Sequence, residues 1–425
     1  MTVLQIVLAA AACAALFYGW RAVARGDRRV VWIVSGGFLL RAFAAQALFW
    51  ISWLRLPIAR SLQMGGGLWF FALDASFYLQ FADKLAHGVP IVYAYPSRMF
   101  VRLLAVFVAL FGSVASTAIL LNCAAYLGTC AVILALARGR VSGGLLVTLA
   151  AVSFGPAAVL WSLQPLKDTL FVFLVTAMIG AAAWWKARRG VAPAIALIVL
   201  AFAVAGTRWY FAVFLWGGWA VFALWTSLAG PRKARALGAS AIVFVLLAGA
   251  IYVGGRHDMP ALHLKRRRSP VKRVEEVRQG FASVPGATTI TPGPKLQPKV
   301  TPIVPDAAAT FMPRFATQPL GLVRIGGGRG LWTFVDFDTL VFDAVLLFAA
   351  VYAVRMRVWR KPLAVMLLLV FLVTAAPLLY VVNNFGTLFR LREMLFLVAA
   401  LLPVTIAREA AEEASAEGER QSASP

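Results

Sequence analysis

Apolar residues dominate this chain in long, nearly unbroken runs, and the polar positions fall mostly between them. A helix that crosses a membrane needs about 20 consecutive, mostly apolar residues. Runs of that length predict spans near 3–20, 30–53, 116–137, 143–161, 167–185, 191–205, 210–228, 236–254, 341–358, 362–382 and 393–407, about eleven in all. Two segments break the rhythm. In LDASFYLQFADKLAHG (residues 73–88), a rotation of about 100° per residue puts Ser76, Gln80, Asp83, Lys84 and His87 on one face and Tyr78, Phe81 and Leu85 on the other. Asp74 falls with the apolar set. Residues 97–112 form a shorter apolar run with Arg98 and Arg102 at helical spacing, which predicts a helix lying in the membrane interface.

Composition agrees with this pattern. Hydrophobic residues make up 61% of the chain and charged residues only 14%, and the mean hydropathy is +0.82. A soluble domain is excluded, and the predicted class is an all-α, polytopic transmembrane helical bundle. The net charge of +24 would fit a nucleic-acid binder if the basic residues shared one surface, but most of them flank spans. Arg21, Arg25, Arg28 and Arg29 share one short connection, and Arg138 and Arg140 another. Lys186, Arg188 and Arg189, then Arg232, Lys233 and Arg235, then Arg355, Arg357, Arg360 and Lys361 follow the same rule. With all these connections cytoplasmic, one span must lie between Arg98 and Arg138, and an interfacial helix over 97–112 meets that condition. The expected partners are membrane lipids, not nucleic acid.

The N-terminus is then outside, as a first span and not a signal peptide, and the tail from Arg408 is inside. Domains reduce to a transmembrane unit over 1–407 and a polar, disordered tail over 408–425. Two outward segments are long. One, 54–115, carries both surface helices. The other, 255–340, runs from the basic block HLKRRRSPVKRVEEVRQG through the Pro-rich TPGPKLQPKVTPIVP to IGGGRGLW, and its length exempts it from the charge rule.

On this topology the informative ionisable residues collect on the outer side. Lys167 and Asp168 open a span just after Pro165. Asp168 has a plain alternative as a helix cap, whereas a lysine at a helix start opposes the macrodipole and calls for a nearby anion. Arg208 occupies an outward turn beside Trp209 and Tyr210, and Arg390 and Arg392 another, in NNFGTLFRLRE. Arginine can snorkel to headgroups from such turns, or several can converge on an anion. Arg41 lies mid-span, where a charge costs roughly 3 kcal/mol or more, so it must face the bundle. His87, His257 and His263 match no metal spacing, Cys13, Cys123 and Cys130 sit in apolar runs, and IGGGRG lacks the strand and helix of a phosphate loop.

The order of these features resembles a family. An early span with an arginine, then Asp74-Ala-Ser-Phe-Tyr78 and FADKLAHG, then YPSRMFVRLLAVFVALFG, a span ending ALARGR and a span followed by PLKD look like the GT-C superfamily over about residues 35–190. These integral-membrane glycosyltransferases use polyprenyl-phosphate sugars; protein mannosyltransferases and the aminoarabinose transferase of lipid A are examples. The resemblance implies a GT-C-like bundle with Asp74 as catalytic base, Tyr78 as its trailing tyrosine and 97–112 as the second surface helix. Lys167, Asp168, Arg208, Arg390 and Arg392 become substrate-binding candidates. The family's second acid is Ala75 here, and YPSR lacks an acidic neighbour, so no metal ligand set follows. The implied reaction is inverting transfer from a polyprenyl-phosphate sugar to a glycan, lipid or protein acceptor, at the outer face of a bacterial inner membrane. A polymerase or ligase of lipid-linked glycans, a lipid-linked-sugar flippase or other transporter, and a non-catalytic scaffold remain open beside it. Transporters break their helices at mid-membrane depth, and these spans are polar almost only at their outer ends.

Overall fold

The structure, a computed structural model, describes residues 2–91, 95, 97–229, 233–256, 331–381 and 390–422. The basic block, the Pro-rich stretch, IGGGRG, His257 and His263 lie outside the described residues. Among the described residues thirteen α-helices follow one another: α1 (Val3–Val23), α2 (Arg28–Trp53), α3 (Leu73–Ala86), α4 (Arg98–Phe111), α5 (Thr117–Leu136), α6 (Gly143–Phe154), α7 (Pro156–Ser162), α8 (Asp168–Ala187), α9 (Val191–Leu228), α10 (Lys233–Arg256), α11 (Leu331–Arg355), α12 (Pro362–Val381) and α13 (Glu393–Ser422). Among the described residues, sheet is limited to the ribbon of β1 (Gln63–Gly65) and β2 (Leu68–Trp69), antiparallel with Gln63 opposite Trp69. Gly65, Gly66 and Gly67 turn that ribbon at positive φ of 83°, 61° and 82°, a region where side chains are strained.

The protein is an all-α bundle with several helices able to cross a membrane. Eight described helices are long and apolar enough, and α6 with α7, bent by 46°, makes a ninth. The expectation of about eleven differs at two places. The apolar part of α12, Pro362–Leu378, is short, and the runs 191–205 and 210–228 form one helical element interrupted at Arg208 alone (φ −147°, ψ 84°). That single break reverses the chain. Arg189, just before α9, donates from Nη2 to the Thr226 carbonyl at 2.8 Å, two points that an unbroken helix would hold more than about 50 Å apart. α9 is therefore a helical hairpin with Arg208 at its tip.

The most enclosed spans are α5, α8 and α13, with 56%, 67% and 78% of their apolar windows buried. The periphery is α1, which has no buried residue. α4 buries Phe100, Val101, Leu104, Ala105 and Val108 along one stripe and exposes Val106 and Leu110. At 14 residues it is about 21 Å long, too short to cross and suited to the interfacial position read from its sequence.

Two boundaries need correction. α11 begins at Leu331, ten residues ahead of the predicted span, and Asp338 in the added turns is buried against Arg392. The tail is not disordered up to residue 422: α13 continues through it. Its acids are matched to the basic ends of other helices, with Glu409 on Lys186 (2.6 Å), Glu412 on Lys186 (3.1 Å) and Arg138 (2.9 Å), and Glu413 on Lys361 (2.7 Å). Glu409 also accepts from the Leu363 and Ala364 amides at the start of α12 (3.1 and 3.2 Å), where helix N–H groups lack internal partners.

Candidate active site

The opposite end of the bundle gathers the ionisable residues singled out in the sequence. Asp168, at the first position of α8, is fully buried and accepts from two arginines. Arg208, at the tip of the α9 hairpin, reaches it through Nη2. Arg390, two residues before Arg392, reaches it through Nη2 at 2.8 Å and Nε at 3.2 Å. The same Arg390 donates from Nη1 to Asp74 on α3 and lies over the Trp161 ring at 5.9 Å. The order Asp74, Arg390, Asp168, Arg208 runs from surface to core, with side chains 48%, 20%, 0% and 3% exposed.

Neither aspartate is a helix cap. The N-cap of α3 is Ala72 and that of α8 is Lys167, and neither makes a side-chain capping bond. Both carboxylates are instead engaged by guanidinium groups. Burying an ion costs several kcal/mol unless it is paired and hydrogen-bonded, and two arginines on one carboxylate meet that requirement for Asp168. Arg208 stacks at 4.8 Å on the Phe171 ring, while its Nε and Nη1 have no partner among the described residues.

Lys167 turns the other way, donating to Ser97 Oγ (2.6 Å) and to the Thr207 carbonyl (2.8 Å). Tyr78, buried on the inner face of α3, shares Ser97 at 3.2 Å. Burial, then the negative charge of Asp74, pushes the Tyr78 phenol up to about 12, so it stays protonated through neutral pH. Burial alone would lower Arg390, but Asp168 and Asp74 hold it well above its ordinary value. One glycine is required here: a Cβ on Gly206 would collide with the Met99 side chain, so Gly206 lets the α9 tip close onto α4.

The structure thus brings together Asp74, Tyr78, Lys167, Asp168, Arg208 and Arg390. It separates Arg392, which pairs with Asp338 Oδ2 and donates to Thr339 (2.9 Å) on α11. Arg390 and Arg392 both precede the first position of α13, and their side chains diverge to different partners. On α3, Ser76 is buried rather than watered and bonds the Leu73 carbonyl at 2.8 Å, while Phe77 is exposed. Sequence reading missed Ser97, which joins Lys167 to Tyr78, and Asp338. Ser97 stands beside Arg98, and Asp338 between Asp336 and Thr339, so neither stood out in the sequence.

Arg41, whose partner could not be named from sequence, is buried against the bend between α6 and α7. It donates to the carbonyls of Ser153 (2.7 Å), Val152 (2.8 Å) and Gly37 (3.1 Å) and lies 4.2 Å over Tyr126. Pro156 has no N–H to give Val152. The Ala157 amide, displaced by the bend, is taken by Asp338 Oδ1 at 2.8 Å, which leaves Ser153 free as well. Arg41 supplies the missing donors.

Among the described residues, no three histidine, cysteine or acidic side chains gather as a metal-holding set. No protein family model matches the chain, and neither a curated protein nor a solved structure matches it.

Proposed function

We propose that the protein is a membrane glycosyltransferase of GT-C type that moves a sugar from a polyprenyl-phosphate donor to an acceptor at the outer membrane face. The observation that carries this reading is the double engagement of Arg390, which holds a half-exposed carboxylate, Asp74, on one side and a buried one, Asp168, on the other. A donor phosphate competes with Asp74 for the Arg390 guanidinium, a bidentate anion ligand. As Arg390 turns to the phosphate, Asp74 is released to act as base. The acceptor oxygen or nitrogen bonds to the anomeric carbon as the carbon–oxygen bond to phosphate breaks, with inversion. The electron pair leaves on the lipid phosphate, neutralised by Arg390 and Arg208, and the acceptor proton passes to Asp74.

In this proposal the membrane is a bacterial inner membrane. The crossings are α1, α2, α5, α6 with α7, α8, the two arms of α9, α10, α11, α12 and α13, with the Asp74 end outward. The placing of Asp74 on a short helix beside amphipathic α4 supports the GT-C assignment, and the basic inner connections support the orientation. Arg41 does not favour a transporter, since both its terminal nitrogens serve carbonyls at the α6–α7 bend.

Purified protein in lipid, given radiolabelled polyprenyl-phosphate sugars and a panel of acceptors, is expected to transfer label. Asp74→Asn is expected to lower the rate roughly a hundred- to ten-thousand-fold. Undiminished transfer by that variant removes Asp74 from the role of base, and no transfer from any donor removes the glycosyltransferase reading.

A further inference from the structure

A small, mostly apolar chamber shares two chain segments with the arginine–aspartate cluster. Asp168 faces the cluster while its neighbour Thr169 lines the chamber, and Arg390 faces the cluster while Glu393, three residues on, lines the chamber. Arg41 from α2 lines the third side. Each of these residues presents a buried polar atom with no hydrogen-bond partner among the described residues: Arg41 Nε, Thr169 Oγ1 and Glu393 Oε2. The chamber volume is about 20 Å³. A single water needs roughly 10–15 Å³ and two to four polar partners.

The chemistry of the three atoms is complementary to one water. Arg41 Nε only donates, and the Glu393 carboxyl and the Thr169 hydroxyl can each donate or accept. A cation is disfavoured by the guanidinium, and a polyatomic anion by the small volume. The other polar side chains on the wall are already occupied: the Tyr126 hydroxyl bonds Ser153 Oγ (2.7 Å), and Thr129 bonds the Ala125 carbonyl (2.8 Å). Val152, Val172 and Phe396 close the remainder with hydrocarbon, which gives a water no other partner to drift toward.

We infer that this chamber is a built site for one water molecule joining Glu393 to Arg41 and Thr169, and that the bridge fixes the start of α13 and so the aim of Arg390. Glu393 is in this sense a positioning residue. Its carboxyl ties the first turn of α13 to α2 and α8, and Arg390 is carried one turn ahead of it. An unbridged Glu393 would leave three buried polar groups unpaired at one point, each with a desolvation penalty. The bridge removes all three at once.

The test does not depend on any enzymatic activity. A cryo-EM map of the full chain, at a resolution that shows other ordered waters, is expected to show one density peak within hydrogen-bond distance of all three atoms. Glu393→Gln keeps an acceptor oxygen and is expected to retain both the peak and the Arg390–Asp168 contact. Glu393→Met is expected to lose the peak and to speed amide hydrogen exchange in the first turn of α13 about tenfold. Should Glu393→Met fold poorly, Thr169→Val removes one partner with little change of shape, and a weaker peak is expected. A wild-type chamber without density overturns the site. Equal exchange in the Met and Gln variants overturns the positioning role.

Discussion

A charge is costly inside this molecule, so the buried charges show what each was placed to meet. Arg390 and Arg392 stand two residues apart and serve different partners, and their replacement is expected to separate the two. Arg392→Ala leaves the buried Asp338 without its cation, which is expected to cost about 3–5 kcal/mol as a lower unfolding midpoint in detergent. Arg390→Ala leaves Asp168 still paired with Arg208. The expected stability loss is smaller, and polyprenyl-phosphate binding, followed by calorimetry, is expected to disappear. Tyr78→Phe removes the bond to Ser97, worth about 1 kcal/mol. Because the phenol is pushed up to about 12, it is protonated in both states at neutral pH, and the pH–rate profile between about pH 6 and 9 is expected to keep its shape. The residue types of this cluster were legible in sequence, since ionisable residues stand out in so apolar a chain. The pairings were not, because Asp74 and Arg390 lie 316 residues apart and Asp168 and Arg208 lie 40 apart.

At the scale of elements, breaks and ends carry the specificity. Pro156 bends a span and frees two carbonyls, which Arg41 then satisfies. Arg208 folds α9 into a hairpin and delivers its own side chain to Asp168. The α13 tail, polar enough to read as disordered, is helical because its acids meet the basic ends of α8 and α5 and cap α12. Glu409→Gln removes a buried carboxylate from Lys186 and weakens the cap on α12, with an expected loss of about 2–3 kcal/mol. A double-mutant cycle with Lys186→Met, read by thermal unfolding, is expected to show coupling of about 1 kcal/mol or more. Additive effects would mean the pair contributes nothing beyond its separate parts.

For the whole molecule, two polar layers face each other across the bundle. The Asp74–Arg390–Asp168–Arg208 cluster marks one end and the Lys186–Glu409–Glu412 network the other. Asp168 and Lys186 lie near opposite ends of α8, about 27 Å apart along its axis and close to the thickness of a bilayer core. In a cysteine-free background, Lys84→Cys is expected to react with an impermeant maleimide applied outside cells, and Arg140→Cys only after permeabilisation. The reverse pattern overturns the proposed orientation. By itself the sequence determined the all-α membrane class, most of the long apolar helices, the short amphipathic helix α4 and which ionisable residues stand out in so apolar a chain. Those follow from hydrophobic length and periodicity, which are local. Only the tertiary structure decided that Arg390 joins Asp74 to Asp168, that Arg392 belongs to Asp338, that Arg41 serves a bent span and that the tail is a docked helix. Each of these is a pairing of a costly buried group with a partner far along the chain, and only folding brings such partners together.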